Sequence, residues 1–289
     1  MSYYDSQFGL CLTITNKFCE TNQTINPDTK TLWLDEDFNY SIDNLVLPSG
    51  LESIHFNFNF NQPIEQIMFP ASVISLSFYG QFNQPVNKIN IAQNLQILKL
   101  DSFAYNKPID WGQFPNLLIL SVGNDYIVKT LVFPKKLDYF MIGHLVSIPL
   151  EKIILPDTLK AIIYSDSSCS TIDLSSVNFP SELKILCLPS AKVSLVNADK
   201  GIVQDYGCYY FNCPDNLPES LQELKVPHIF KKPGSNLPSG LKKLTISDKY
   251  GYLQYFKIPF GCKVYNLSNL EIDNDIDVCA GKILNIEKN

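Results

Sequence analysis

A unit of 22 residues, written twice in succession, constrains this chain more than any other feature. Leu47 to Val86 reads LPSGLESIHFNFNFNQPIEQIMFPASVISLSFYGQFNQPV. Leu47-Pro48 returns as Phe69-Pro70, and Leu51, Ile54 and Phe56 return as Val73, Leu76 and Phe78. Phe60-Asn61-Gln62-Pro63-Ile64 returns as Phe82-Asn83-Gln84-Pro85-Val86, again 22 residues on. Self-similarity at a fixed period in this range is the signature of a solenoid, in which no unit buries its apolar face alone.

The pattern L-x-x-L-x-L marks each unit. Numbered by its first position, it falls at 29, 51, 73, 95, 117, 137, 159, 183, 221, 241 and 267, which predicts about eleven coils. The first is degenerate, with Thr29 ahead of Leu32 and Leu34, and the last is Leu267/Leu270/Ile272. Two apolar residues two apart put their side chains on one face of a short strand, and the third turns in from the bend before it. Prolines just upstream (48, 70, 115, 134, 156, 180, 218 and 238) fix that bend and cannot donate a ladder hydrogen bond. Stacked about 4.8 Å apart as parallel strands, the units share one core. The expected fold is a solenoid of parallel strands joined by loops and turns, mostly β.

The second half of the unit is Phe-Asn-x-Pro-Ile. It stands at Phe38-Asn39-Tyr40-Ser41-Ile42, at 60–64, at 82–86, and as Tyr105-Asn106-Lys107-Pro108-Ile109. On these residues the chain resembles the FNIP-repeat proteins, a leucine-rich-repeat-like family of social amoebae and giant DNA viruses. The match is close over about residues 25–115 and looser to about 272. Ser147-Ile148-Pro149-Leu150 and Phe256-Lys257-Ile258-Pro259 are later fragments, while the coil at 117–136 has lost the motif and is two residues short. The resemblance implies a leucine-rich-repeat-like right-handed solenoid, mostly β and curved, with parallel strands on the concave face, loops and turns on the convex face, and a protein-interaction role. Some members carry an N-terminal F-box that links them to ubiquitin ligases. About 25 residues precede the first coil here, so an F-box is not expected among them.

The domain reading is a cap over residues 1–24, a solenoid over 25–272 and a second cap over 273–289. Leu10, Leu12 and Ile14 alternate in the first cap and are expected to pair with the first strand. The step from 183 to 221 takes 38 residues, which places an insertion at about 197–216. Its Tyr206, Tyr209, Tyr210 and Phe211 are too aromatic for a linker, so they pack on the body or meet a partner.

Chemistry is sparse. The eight cysteines form no CxxC pair, and Cys208 with Cys213 would need two more zinc ligands with only His228 near. His55, His144 and His228 lie in different coils without a catalytic spacing. His55 falls between Ile54 and Phe56 and so points out of the concave wall. No glycine-rich phosphate loop appears, and Gly80, Gly112, Gly123 and Gly143 are read as turn positions with positive φ. No cofactor or metal is expected. The net charge of -6 argues against nucleic acid and anionic membranes as general partners. No secretory leader or apolar run of membrane length is seen, so a cytoplasmic location, or a virion if the source is viral, is expected.

Two features bear on binding. Asn39, Asn61, Asn83 and Asn106 recur once per coil and are read as a structural ladder that satisfies backbone groups. The outward strand positions form two rows, polar at first, apolar in the centre and charged at the end. Ile97, Ile119, Tyr139, Met141, Ile163, Ile185 and Cys187 fall in the centre as one concave patch. The expected function is non-catalytic: binding a protein partner through that patch. A second copy of the chain and the insertion itself are the other candidate occupants. A structural role in an assembly or particle, or substrate recognition for a ubiquitin ligase, is the alternative.

Overall fold

Most repeats begin with a tight turn in which a proline carbonyl accepts the N–H of the marker residue three positions on; Asn26 and Phe114 take that part for Thr29 and Leu117, and Ile91, four positions back, for Leu95. Leu51 donates to Pro48 at 3.0 Å, Val73 to Pro70 at 3.0 Å, Leu159 to Pro156 at 3.2 Å and Leu241 to Pro238 at 3.1 Å. The chain then extends into a strand. The computed structural model describes residues 2–6, 9–20, 24–164, 177–188, 217–226, 237–246 and 258–266.

The strands are β1 (Ser2–Ser6), β2 (Gly9–Ile14), β3 (Thr29–Leu34), β4 (Ser53–Phe56), β5 (Ser75–Gly80), β6 (Ile97–Ser102), β7 (Ile119–Asn124), β8 (Tyr139–Leu145), β9 (Ala161–Tyr164), β10 (Ile185–Cys187), β11 (Glu223–Val226), β12 (Lys243–Ile246) and β13 (Lys263–Asn266). They form one 13-stranded sheet in chain order. From β2 onward every pairing is parallel, and β1 alone runs antiparallel, against β2. Such an order is what a chain produces when each coil returns beside the last. Leu10, Leu12 and Ile14 do lie on a strand beside β3, with Leu12 opposite Leu32 and Ile14 opposite Leu34.

Inside the coils the marker residues stack in columns. Leu32, Ile54, Leu76, Leu98, Leu120, Phe140, Ile162, Leu186 and Leu224 occupy matching positions on successive strands and are buried. A second column is aromatic. Phe38, Phe60, Phe82 and Tyr105 follow one another with ring centroids 6.4, 6.2 and 6.2 Å apart, and Phe56 stacks on Phe78 at 4.7 Å. The offset stacking adds to the area these rings bury.

Three expectations need correcting. The last described strand is β13, which begins at residue 263, ahead of the marker read at Leu267. Its turn is Pro259-Phe260-Gly261-Cys262, with Cys262 N–H donating to the Pro259 carbonyl at 3.1 Å. A cysteine stands where the coils from Leu51 to Leu241 have leucine or valine, so the leucine pattern passed over it. Leu267, Leu270 and Ile272 lie outside the described residues. Second, the coil at 117–136 replaces the lost motif with a short helix, α2 (Asp125–Thr130; α1 is the turn Asn16–Cys19), whose N-cap Asn124 accepts the N–H of Ile127. Third, of the four glycines read as positive-φ turns only Gly80 has that backbone, at φ 56°. Gly123 and Gly143 lie within β7 and β8, where neighbouring backbone comes too close for a side chain: a Cβ on Gly123 would sit 2.6 Å from the Asp101 backbone.

Candidate interaction face

The face of the sheet turned away from the core carries two rows of side chains in strict register. One runs Thr31, Ser53, Ser75, Ile97, Ile119, Tyr139, Ala161, Ile185, Glu223 and Lys243. The other runs Trp33, His55, Ser77, Lys99, Ser121, Met141, Ile163, Cys187, Lys225 and Thr245. On β13 the rows end on Lys263 and Tyr265, in place of the later residues that the leucine marker at 267 implied.

The seven apolar residues picked from the sequence therefore sit on neighbouring strands, β6 to β10, on one face. Ile97, Ile119 and Met141 pack together and are buried, Ile119 to 1% exposure. Tyr139, Ile163 and Leu118 are half-buried against them. Ile185 and Cys187 are half-buried one strand further on. Leu118 is a member the sequence reading missed, because it stands one residue ahead of the first row.

The N-terminal half of the same face is polar and closely packed. His55 is 5% exposed and its ring lies flat on Trp33, with centroids 3.6 Å apart and planes 4° apart. Its Nε2 is 3.1 Å from the Ser53 hydroxyl. The pointing of His55 out of the core is as its strand position dictates, but the ring is covered, not solvated. Lys99 is buried between Ser77 and Ser121, and Ser121 donates to the Asp101 carboxylate at 2.7 Å. The side chain of His144, all of His228 and the insertion residues Tyr206, Tyr209, Tyr210 and Phe211 lie outside the described residues.

Across the loops that leave the strands runs a line of asparagines. Asn39 Oδ1 accepts the N–H of Asn61 at 2.9 Å, Asn61 Oδ1 that of Asn83 at 2.8 Å, and Asn83 Oδ1 that of Asn106 at 3.0 Å. The line starts one coil earlier than the motif does: Asn16 Oδ1 accepts from Asn39 at 3.1 Å. Gln62 and Gln84 reinforce it by donating to Asn39 and Asn61. At the start of α2 an acid plays the same part, since Asp125 accepts the N–H groups of Ser147 and Ile148 and the Ser147 hydroxyl. Burial pushes the Asp125 carboxyl upward, but the Ser147 hydroxyl, these two N–H groups and Lys129 outweigh it and hold the group below the ordinary carboxylate range.

Among the described residues no group of three His, Cys, Asp or Glu side chains is placed to hold a metal ion, and no helix is long and apolar enough to cross a membrane. The one concavity to note lies at the α2 coil, away from the apolar rows. It is an open groove of about 590 Å³ lined by Asp125, Lys129, Phe133, Ile148, Lys152 and their neighbours.

Comparison with known proteins agrees with this architecture. No curated protein matches the sequence. Among solved structures, CroV588, described as a novel circular leucine-rich-repeat protein, superposes with a TM-score of 0.52 over 84% of this chain at 19% identity. The chain spans 37% of that structure, so the likeness is one of fold. A family model described as FNIP Repeat matches residues 38–81, which hold Phe38 and Phe60 of the aromatic column and the Asn39–Asn61 rung of the asparagine line. The chain thus carries a segment similar to the FNIP repeat and folds as a leucine-rich-repeat-like parallel β-solenoid.

Proposed function

We propose that this protein is a non-catalytic binding module that takes a protein partner on the outer face of its parallel sheet. The observation that supports the reading is the continuity of the apolar rows. Ile97, Ile119, Tyr139, Met141, Ile163, Ile185 and Cys187 occupy adjacent register positions over five strands. Strands held by ladder hydrogen bonds present such a set already ordered, so a partner pays little to fix it. Repeat folds use extended faces of this kind for binding.

The reading is tested by Ile163→Asp, a half-buried position in the centre of the rows. The variant keeps the wild-type melting curve and loses the proteins that the wild type captures from its native cell extract. Retention of every captured protein at equal yield would remove this face from consideration. Light scattering on wild type beside Ile163→Asp/Ile185→Asp separates a second copy from a different partner, since only self-association appears as a change of mass in the pure protein.

A further inference from the structure

The charge of this chain is unevenly distributed. Residues 1–87 hold nine Asp and Glu against two Lys, a net of -7, while the remainder holds 20 acidic side chains against 21 lysines, and the chain has no arginine. Within the acidic third, Asp35-Glu36-Asp37 forms the loop that leaves β3. Glu36 and Asp37 are exposed. Lys30, the nearest cation in sequence, pairs with Glu52 at 2.9 Å, and the next, Lys17, lies on the preceding helical turn, Asn16–Cys19.

The acids stand beside exposed aromatic rings. Asn59 N–H donates to the Glu36 carbonyl at 3.0 Å, and Gln81 N–H to the Phe58 carbonyl at 2.9 Å, so Glu36, Phe58 and Gly80 occupy matching places on three successive coils. Gly80 has no side chain, and none would fit: a Cβ there would lie 2.2 Å from the Phe58 carbonyl oxygen. The Phe58 ring reaches across it to Phe103, with centroids 5.8 Å apart and planes tilted by 50°. Both rings keep about half their surface in solvent, 50% and 48%. Exposed phenylalanine faces beside carboxylates attract a cation with an apolar stem, which the rings hold by cation–π contact and the carboxylates by charge.

We infer that the edge of the solenoid where the chain leaves β3 to β6 is a second docking surface, for a lysine- or arginine-bearing segment of a partner protein. The three coil steps from Glu36 to Phe103 cover about 14 Å at about 4.8 Å each, the length of some four extended residues. The sign of the charge rules out nucleic acid at this edge.

The test titrates the full chain with a fluorescein-labelled hexa-arginine peptide, with hexalysine and hexaglutamate beside it, at two salt concentrations. Hexa-arginine binds, more tightly than hexalysine and less tightly as salt rises, and hexaglutamate does not. Phe58→Ser/Phe103→Ser, which leaves the net charge unchanged, weakens hexa-arginine at least about fivefold while keeping the wild-type melting curve. Glu36→Gln/Asp37→Asn weakens it as well. Ile163→Asp leaves it unchanged, so this surface and the sheet face fail or stand separately. Equal binding by wild type and the phenylalanine double variant would overturn the inference, leaving only a diffuse negative field. Self-association of the pure chain that Glu36→Lys abolishes would also overturn it, with a second copy as the occupant.

Discussion

Asn61 shows how a single side chain links two coils. Its Oδ1 accepts the N–H of Asn83 at 2.8 Å and the amide of Gln84 at 3.1 Å, and both bonds use oxygen only. A carboxylate offers the same oxygen, so Asn61→Asp keeps the contact near neutral pH and Asn61→Ala loses it. Urea unfolding is expected to cost the alanine variant about 1 kcal/mol more than the aspartate variant. The chain itself makes this substitution at Asp125. That carboxyl is held below its ordinary range, so its contribution is present above the ordinary carboxylate pKa and fades as pH falls through the lowered folded value. The stability difference between wild type and Asp125→Asn therefore shrinks in acid, as denaturation midpoints at pH 6 and pH 3 will show. Tyr105 carries the opposite sign. Burial, opposed in part by the Val86 backbone, raises its hydroxyl above the ordinary tyrosine value. The folded chain keeps that proton after the unfolded chain has lost it, so stability falls as pH rises above about 10, and Tyr105→Phe removes this loss. Midpoints of both proteins at pH 8 and pH 11 test the point.

At the scale of the element, Gly80 is the position with least tolerance. Its φ of 56° suits glycine, and a side chain would meet the Phe58 backbone. Gly80→Ala is expected to cost more than about 1 kcal/mol, against a near-neutral Gly112→Ala, whose added Cβ meets only the Asp110 carboxylate at 3.2 Å. Urea midpoints of the pair decide it. The elements also show what was legible in advance. The marker leucines named each strand from β3 to β12 and set both outer rows, because a period of two and a proline turn leave one way to face the core. They failed at β13, where Cys262 replaces the leucine. The signal was the turn itself, since Pro259-Phe260-Gly261-Cys262 repeats the Pro-x-Gly frame of Pro48-Ser49-Gly50-Leu51 and Pro238-Ser239-Gly240-Leu241. The helix α2 was not legible because Asp125-Tyr126-Ile127-Val128-Lys129-Thr130 is short and rich in β-branched residues of low helix propensity. Asn16 was missed because its coil lacks the rest of the motif. The cover over His55 was missed because stacking on Trp33 depends on two rings from different coils, which a row of letters does not orient.

Over the whole molecule, contacts reach from one coil to the next, since each strand pairs with its sequence neighbours. Damage should stay local in such a chain. Leu76→Ala, in the buried column at β5, is expected to lower amide-exchange protection in β4, β5 and β6 and to leave β11 and β12 as they are. Uniform loss across all strands would instead mean that the sheet opens as one unit.

The asparagine line has a further consequence for length. Every rung between Asn39 and Asn83 joins residues 22 apart, as do the Phe60 and Phe82 rings above them. A chain lacking residues 61–82 would bring Asn83 directly onto Asn39 and leave each remaining coil with a neighbour of the kind it had. Loss of 21 or 23 residues would leave the rungs out of step. In its first part the molecule is thus built to grow or shrink by whole coils, as a ladder is lengthened by rungs.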